Sequence, residues 1–280
     1  MNSHDTRSAS TGTVLHSRLW AEDAEADDPF TANACYCSGY DVFGDLLQHA
    51  AYPAYLYLLF RGEKPAPEQA RALEILAVAI ANPGPRDPSV HAAMSAGVGG
   101  SPAAAALMAA LASGAGVSGG AREVFLCLQA WEHCACDLER WQRQMDDWRR
   151  PGNGRMEVWP EPEHPPGHAP YGDRAARPVQ QTLAALTSVL ADGRLHWLQQ
   201  HQAQLEQWAG RPLAMPGVIA AALADLGLNA EQGEMLTLLL RLPGAAAHAL
   251  EQREIGFRRF PFPAIDIVDD PAHPAARSAP

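Results

Sequence analysis

A glycine-rich segment near the middle of the chain has the composition of an anion-binding turn. Residues 114–121 read GAGVSGGA, and a helical pattern begins directly after them, over 122–138. So many glycines make the segment too flexible to be helical, and a glycine turn that leads into a helix can present backbone N–H groups to an anion. The same residues could form only a tight connection between two helices, which is the simpler interpretation.

Arg241 is a second candidate for anion binding, because it stands in the apolar run LTLLLRLPGAAAHAL. A buried guanidinium must be paired with an acidic group or bind an anion. We therefore expect Arg241 to contact either a ligand or an internal carboxylate. His248, in the same run, is expected to pack between helices near Arg241.

The cysteines predict no metal site. Five are present, as Cys35 and Cys37 and as Cys127, Cys134 and Cys136. Zinc sites usually space paired cysteines as C-x₂₋₄-C, whereas the close pairs here are C-x-C. An odd number of cysteines also argues against a disulfide framework. Free structural thiols are the expected state.

The charge and the apolar content of the chain argue against several classes of binding partner. The net charge of the 280 residues is −11, with no block rich in Lys and Arg, so neither nucleic acid nor an anionic membrane is an expected partner. The longest apolar run, around 103–112, is too short to cross a bilayer, and residues 1–13 lack the apolar core of a signal peptide. We expect a soluble cytoplasmic protein with one large or two moderate domains.

The periodicity is helical along most of the chain, and no segment is a convincing strand, so the predicted fold is all-α. Residues 16–30 are expected to form an irregular arm, and 149–170 a long, functional or disordered loop. Residues 102–113 lack a wide polar face and are expected to be buried on all sides. Helices are predicted at 42–49 with Asp41 as N-cap, 52–61 ending at Gly62, 68–81, 89–96, 102–113, 122–148, 178–208 with a break near 192–193, 216–226 and 231–252.

Four motifs, in order over residues 39–252, resemble the citrate synthase family. GYDVFGDLLQHAAYPAYLYLLFRGEKPAPEQ at 39–69 is similar to the family's RGYD…GELP segment, and SAGVGG…SGGAREV to its helix pair ending in HGGANE. PPGH at 165–168 is similar to PGFGH, and RLPG…AH…EQ at 241–252 to RxxGW.AH..EQ. The chain length resembles the compact citryl-CoA lyase branch.

This resemblance implies a citrate synthase-like fold, with a large helical domain (15–119 and 213–260) and a smaller inserted helical domain (120–212). A disordered tail (1–14) and an extended C-terminal arm (261–280) would flank them. It also implies a homodimer, or a heterodimer with a related subunit. The expected ligands are an acyl-CoA, as a thioester substrate with no further cofactor, and a small carboxylate such as oxaloacetate. The expected reaction is Claisen-type formation or cleavage of a carbon–carbon bond.

The catalytic set carried over from the family is incomplete. His168 matches the histidine of PGFGH, whereas Ser118 replaces the histidine before GGA and could donate a hydrogen bond to a thioester oxygen. The family's base aspartate falls at or next to Pro216, and the nearest carboxylate on that helix is Asp225. His91, near the position of the lyase branch's DHGP motif, could substitute as an acid or be a hydrogen-bonded core histidine.

Three arginines are the expected carboxylate ligands. Arg241 matches a carboxylate-binding arginine of the family, and Arg259, or its neighbour Arg258, matches another only by its place after the last helix. Arg174, or Arg177, follows the PPGH motif, and Arg174 could instead pair with Asp173. Because catalytic positions are missing, two alternatives to an active enzyme stay open. One is an inactive paralogue that binds a CoA ester or serves as partner subunit of an active relative. The other is a helical interaction protein that has lost the ligand.

Overall fold

A computed structural model describes residues 16–150 and 160–260, and in this part of the chain helices dominate, as predicted. The expectations for the tail 1–14, for 151–159 and for the arm 261–280 lie outside the described residues. The helices are α1 (Leu47–His49), α2 (Tyr52–Arg61), α3 (Pro67–Ile80), α4 (Pro88–Val98), α5 (Ala103–Gly114), α6 (Ala121–Cys134), α7 (Leu138–Arg149), α8 (Arg177–Thr187), α9 (Arg194–Ala209), α10 (Met215–Asp225) and α11 (Ala230–Ile255).

Proline, glycine and aspartate set many of the helix ends. Gly62 ends α2 in the left-handed conformation, with φ +76°, as its position predicted. The predicted N-cap Asp41 is confirmed, since its carboxylate accepts the Gly44 N–H at 2.8 Å. The helix it begins is a π-helical turn, Val42–Leu46, that continues into α1. Pro243 is accommodated inside α11, which runs on to Ile255.

A small antiparallel sheet precedes the helices, so the expectations of no strand and of an irregular arm over 16–30 are wrong. Its strands are β1 (Trp20–Ala24), β2 (Ala32–Cys37) and β3 (Tyr40–Asp41), in the order β1-β2-β3. All five residues of β1 are exposed. A strand without a buried face has no reason to alternate apolar and polar residues, and this alternation is the signal that identifies strands.

The helix predicted over 122–148 is two helices, α6 and α7. Ala135 takes a positive φ of +49° between them, and Asp137 then caps α7 by accepting the N–H groups of Glu139 and Arg140. The Trp141 indole N–H donates to the Ala135 carbonyl at 2.9 Å and holds the turn. Neither glycine nor proline marks this break, so the continuous apolar stripe concealed it.

The described residues divide into two compact units. Among them, the first unit comprises 16–81, 115–150 and 160–241, and the second unit comprises 82–114 and 242–260. Helix α11 passes from one unit to the other after Arg241. These bounds differ from those of the two domains inferred from the family resemblance, and that inferred division stays a prediction.

The first unit has a continuous core in which α6 and α10 pack closely. Helix α10 is buried over seven consecutive residues, from Gly217 to Leu223. Beside this pair, the rings of Trp131, Trp141 and Trp197 from α6, α7 and α9 pack with centroids 4.7 to 6.0 Å apart. The core therefore holds the start of α6 and the start of α10 in fixed positions, and both helix starts belong to the site described below.

In the second unit, α4, α5 and the end of α11 share a core of small residues. A Cβ added to Gly97 of α4 would meet the backbone carbonyl of Ala249 of α11, so the backbones of α4 and α11 are in direct contact here. The expectation that 102–113 is buried on all sides is wrong. Only Ala106, Ala110 and Gly114 of α5 are buried, and Met108 is 62% exposed. An alanine-rich helix shows no polar face even where part of it meets solvent.

Candidate functional site

Glu123 is the centre of a buried hydrogen-bonded cluster in the first unit. It lies in the first turn of α6 and is 2% exposed. Its Oε2 accepts the N–H of Gly119 at 2.6 Å, and Gly119 belongs to the glycine turn, residues 115–120, which joins α5 to α6. At least one N–H group of the glycine turn therefore donates to an internal carboxylate. The negative charge of this carboxylate is also stabilised by the positive, N-terminal end of the α6 dipole.

The other oxygen of the same carboxylate binds the proline loop, residues 160–170. Glu123 Oε1 accepts the Gly167 N–H at 2.8 Å, across 44 positions of sequence. The Nε2 of His164, also buried, is 3.7 Å from Oε1. On its other side, the loop pairs with the segment before α10, where Ala169 donates to Pro212 and Ala214 donates to Gly167. The loop is thus bonded along both edges.

Gly167 allows the proline loop to lie directly on α6 and α10. It has a φ of +82°, and a Cβ there would be 3.0 Å from the Cys127 sulfur and 3.1 Å from the Gly217 Cα. Burial, and then the nearby Glu123 carboxylate, raise the pKa of the Cys127 thiol well above its ordinary value. Cys127 is therefore a thiol that packs, and not a nucleophile, at neutral pH. All five cysteines are free.

His168 is buried within this loop at 4% exposure. Its Nδ1 is 3.2 Å from the Pro166 carbonyl, which can only accept, so Nδ1 carries the proton. Desolvation lowers the pKa of His168 below 6.5 and outweighs its hydrogen bond to Pro166 and the attraction of Glu206 and Glu123. The imidazole is consequently neutral at pH 7, with a free lone pair on Nε2. That atom has no hydrogen-bond partner among the described residues.

Arg241 joins the cluster from α11. Its guanidinium donates to the Gly119 carbonyl at 2.9 Å, and the side chain is partly exposed. Arg241 and Glu123 therefore hold the same residue of the glycine turn, one through its carbonyl and the other through its N–H. The sequence suggested a ligand or an internal carboxylate as partner of Arg241, and this bond to a backbone carbonyl tests neither, so that expectation stays a prediction.

Ser118 and Arg174 lie on exposed positions of the first unit. Ser118 precedes Gly119 in the glycine turn, so it belongs to the same backbone segment as the cluster. Arg174 lies between the proline loop and α8, and the suggested ion pair with Asp173 does not form. In the first unit, the segments that carry Ser118, His168 and Arg241 are all hydrogen-bonded to Glu123 or Gly119. Arg174 is exposed and is not part of this cluster.

Two positions discussed for the missing base have structural roles. Pro216 lies in the first turn of α10, and a Cβ on the next residue, Gly217, would be 2.7 Å from the Gly167 carbonyl. Asp225, at the other end of α10, accepts the backbone N–H groups of Arg194 at 2.7 Å and Leu195 at 2.9 Å. Asp225 therefore caps α9 and is not a stand-in for a general base near the proline loop.

The remaining candidates belong to the second unit. His91 is exposed on α4, with its ring 6.3 Å from that of Phe260, so the alternative of a core histidine is wrong. Arg259 is exposed in the 3₁₀ turn Phe257–Arg259. His248 contacts Glu251 at 3.0 Å through Nδ1 and Asn82 at 3.1 Å through Nε2, so it has polar partners beyond simple helix packing.

Across residues 16–150 and 160–260, no three His, Cys, Asp or Glu side chains converge closely enough to hold a metal ion. Within the same ranges, no helix is both long and apolar enough to span a bilayer.

The fold defined by these helices is the citrate synthase-like fold of citryl-CoA lyases. Citryl-CoA lyase from Hydrogenobacter thermophilus matches with a TM-score of 0.65 and 17% identity, over 93% of this chain and 99% of that chain. ATP citrate lyase from Methanothrix soehngenii, in complex with citrate and coenzyme A, matches with a TM-score of 0.69 and 16% identity, over 93% of this chain and 43% of that chain.

A variant of Methanosaeta concilii ATP citrate lyase, in complex with (3S)-citryl-CoA, has the same TM-score of 0.69 at 14% identity, over 94% of this chain and 43% of that chain. This chain thus spans less than half the length of the two ATP citrate lyases. No protein-family model and no curated protein matches the sequence. The likeness to citryl-CoA lyase and ATP citrate lyase is therefore a likeness of fold.

Sequence reasoning missed the central residue of the cluster. Glu123 is the last residue of the stretch SGGARE that resembles HGGANE, and it follows a glycine turn at the third position of a helix, where Glu often reaches back to bond the preceding backbone. That signal predicts a bond from Glu123 to the backbone N–H of the N-cap, Gly120, and the observed bond goes to Gly119, one residue earlier. The bond to Gly167 and the approach of His164 depend on tertiary packing, and no local pattern reports them.

Proposed function

We propose that this protein catalyses Claisen-type formation or cleavage of a carbon–carbon bond between an acyl-CoA and a small 2-oxo acid, in the manner of citrate synthase and citryl-CoA lyase. The observation that carries the proposal is the free Nε2 of His168. A buried imidazole nitrogen without a partner costs free energy unless a ligand binds there. Support also comes from the fold, whose solved examples include enzymes bound to citrate, coenzyme A and citryl-CoA.

His168 is the proposed acid–base group. With Nδ1 protonated and the ring neutral, Nε2 can accept the α-proton of an acyl thioester in condensation and return it to the enolate in cleavage. In condensation the enolate carbon forms the new bond to the ketone carbon, and protonated His168 gives its proton to the ketone oxygen, which becomes a hydroxyl. In cleavage Nε2 takes that hydroxyl proton as the carbon–carbon bond breaks and gives it to the enolate carbon. A neutral histidine is suited to this role where the sequence has Pro216 instead of an aspartate.

Ser118 and Arg241 are the proposed electrostatic partners. The Ser118 hydroxyl is a donor for the enolate or ketone oxygen, and the guanidinium of Arg241 is a donor for a substrate carboxylate. Arg174 is exposed and available for a phosphate or carboxylate of the substrate. His91 and Arg259, on the second unit, remain predictions from the family resemblance, and so does the homodimer.

A second candidate function is supported by the two replaced positions. Ser118 cannot act as a base without a neighbouring base, and Pro216 has no ionisable group. The chain would then be an inactive paralogue that binds a CoA ester, or the partner subunit of an active relative in a heterodimer.

Calorimetry followed by a turnover assay separates the two. The chain is titrated with CoA, acetyl-CoA, oxaloacetate and citrate, and thioester formation or loss is then followed with and without an active citrate synthase-like enzyme. For the enzyme, His168→Gln should retain binding and lower kcat by about 10²- to 10⁴-fold. His133→Gln, on an exposed histidine, is the matched control. Binding without turnover supports the paralogue, and no binding at millimolar concentration rejects both.

A further inference from the structure

One peptide unit of the proline loop connects Glu123 to His168. The peptide between Pro166 and Gly167 contributes two groups, the Pro166 carbonyl and the Gly167 N–H. The carbonyl accepts from His168 Nδ1 at 3.2 Å, and the N–H donates to Glu123 Oε1 at 2.8 Å. In a trans peptide these two groups point in opposite directions within the peptide plane, so the carboxylate and the imidazole are bonded to opposite edges of one rigid planar unit.

This arrangement fixes both the rotation of the peptide and the tautomer of the histidine. If this peptide turned over, Oε1 of the buried Glu123 carboxylate would lose the N–H that donates to it, at a cost in free energy. Its carbonyl must then keep facing the His168 ring, and only the tautomer protonated at Nδ1 can bond to it. Hydrogen bonds in a chain polarise one another, so the charge on Glu123 also strengthens the carbonyl as an acceptor.

We propose that Glu123 is a positioning residue for His168 and acts on it through the Pro166–Gly167 peptide, as a carboxylate acts directly on histidine in a catalytic triad. The role of Glu123 in catalysis rests on the proposed function. The alternative is that Glu123 only caps α6, and its bond to Gly119 alone would suffice for that. The bond to Gly167, on a distant segment, adds nothing to a helix cap.

The carboxylate is needed because two N–H groups must be accepted at once. Glutamate offers one acceptor oxygen to Gly119 and the other to Gly167. The amide of glutamine has one oxygen and one NH₂ group, so Glu123→Gln would set a donor against one of the two N–H groups. Glu234→Gln is the matched control. Glu234 is a partly exposed carboxylate that pairs with Arg122 at 3.6 Å and has no contact with the proline loop.

The experiment uses nuclear magnetic resonance on the ligand-free full chain, with ¹⁵N-labelled histidine and residue-resolved amide hydrogen exchange. In the wild type, we expect His168 as a single Nδ1–H tautomer at pH 7 and a protected Gly167 amide. In Glu123→Gln, we expect a mixture of His168 tautomers and exchange at Gly167 faster by roughly 10- to 100-fold, which is the loss expected for one charge-assisted hydrogen bond. Glu234→Gln should keep the wild-type tautomer and exchange rate.

The proposal is overturned if folded Glu123→Gln keeps the wild-type tautomer and Gly167 protection, or if only Gly119 exchanges faster, since that pattern is a helix cap. If Glu123→Gln does not fold, the wild type decides, because an unprotected Gly167 amide or an Nε2–H tautomer of His168 also overturns it. No turnover is measured, so a chain that binds no CoA ester can still pass this test, and the proposed function can fail separately.

Discussion

Replacing Gly167 by alanine tests whether the proline loop packs on α6 and α10 as described. The added Cβ carries two costs. A left-handed φ of +82° costs an alanine about 1–2 kcal/mol relative to glycine. The Cβ would also lie 3.0 Å from the Cys127 sulfur and 3.1 Å from the Gly217 Cα, and overpacking of this kind typically costs ~1–3 kcal/mol. We therefore expect Gly167→Ala to destabilise the fold by about 2–5 kcal/mol.

Gly172→Ala separates the two costs. Gly172 has a φ of +88°, and a Cβ there would meet nothing within 4 Å, so this variant should lose only the conformational part, about 1–2 kcal/mol. Both free energies of unfolding come from urea titration, with the slope m checked for constancy. Cys127→Ala removes the sulfur that the new Cβ would meet. In the Gly167→Ala background it should therefore lower the free energy of unfolding by less than it does in the wild type. Equal losses for Gly167→Ala and Gly172→Ala would refute the close packing of the loop.

Three further variants or conditions test other parts of the structure. Asp225→Asn keeps only one of the two acceptor oxygens at the start of α9, so it should lower the free energy of unfolding by about 1–2 kcal/mol. The control Asp192→Asn, at an exposed position, should not lower it. Equal thermal melting of the two variants would contradict the role of Asp225 as a cap. Because burial lowers the pKa of His168 below 6.5, the unfolded chain binds more protons there, and its contribution to stability, complete above pH 6.5, should be lost as pH falls. His168→Gln should flatten that slope below pH 6.5, measured by urea titration, and an unchanged slope would show that the group is not neutral when folded. Gly97→Ala places a Cβ against the Ala249 carbonyl and should cost ~2 kcal/mol or more in thermal denaturation, so wild-type melting would exclude the backbone-distance approach.

Local chemistry explains which parts of the fold could be predicted from the sequence. The end of α2 at Gly62 and the capping by Asp41 depend on side chains or φ angles within a few residues, and both were predicted. The break between α6 and α7 is not of this kind. Asp137 is a local capping signal for α7, but α6 ends at Ala135 with a positive φ, a conformation that an alanine in the sequence does not indicate.

The candidate site likewise contains residues that the sequence identified and residues whose roles depend on tertiary contacts. His168 and Arg241 stand in motifs that resemble a family, so the sequence identified them, and the structure places both in segments bonded around the glycine turn. Glu123, which bonds those segments, was missed because half of its role depends on a contact across 44 positions. The sequence identified Asp225 only as the nearest carboxylate on the helix where the family's base aspartate is missing. Its carboxylate instead caps the neighbouring helix, which only tertiary structure reveals.

The three packed indoles of Trp131, Trp141 and Trp197 make the first unit observable by its own optical signal. Rings held rigidly at centroid separations of 4.7 to 6.0 Å lie in an asymmetric environment, so we expect them to give a near-ultraviolet dichroism band. That band depends on α6, α7 and α9 keeping their side-chain packing, and it disappears in states that retain only backbone helicity. Native and merely helical forms of any variant can therefore be told apart in one spectrum, without a label.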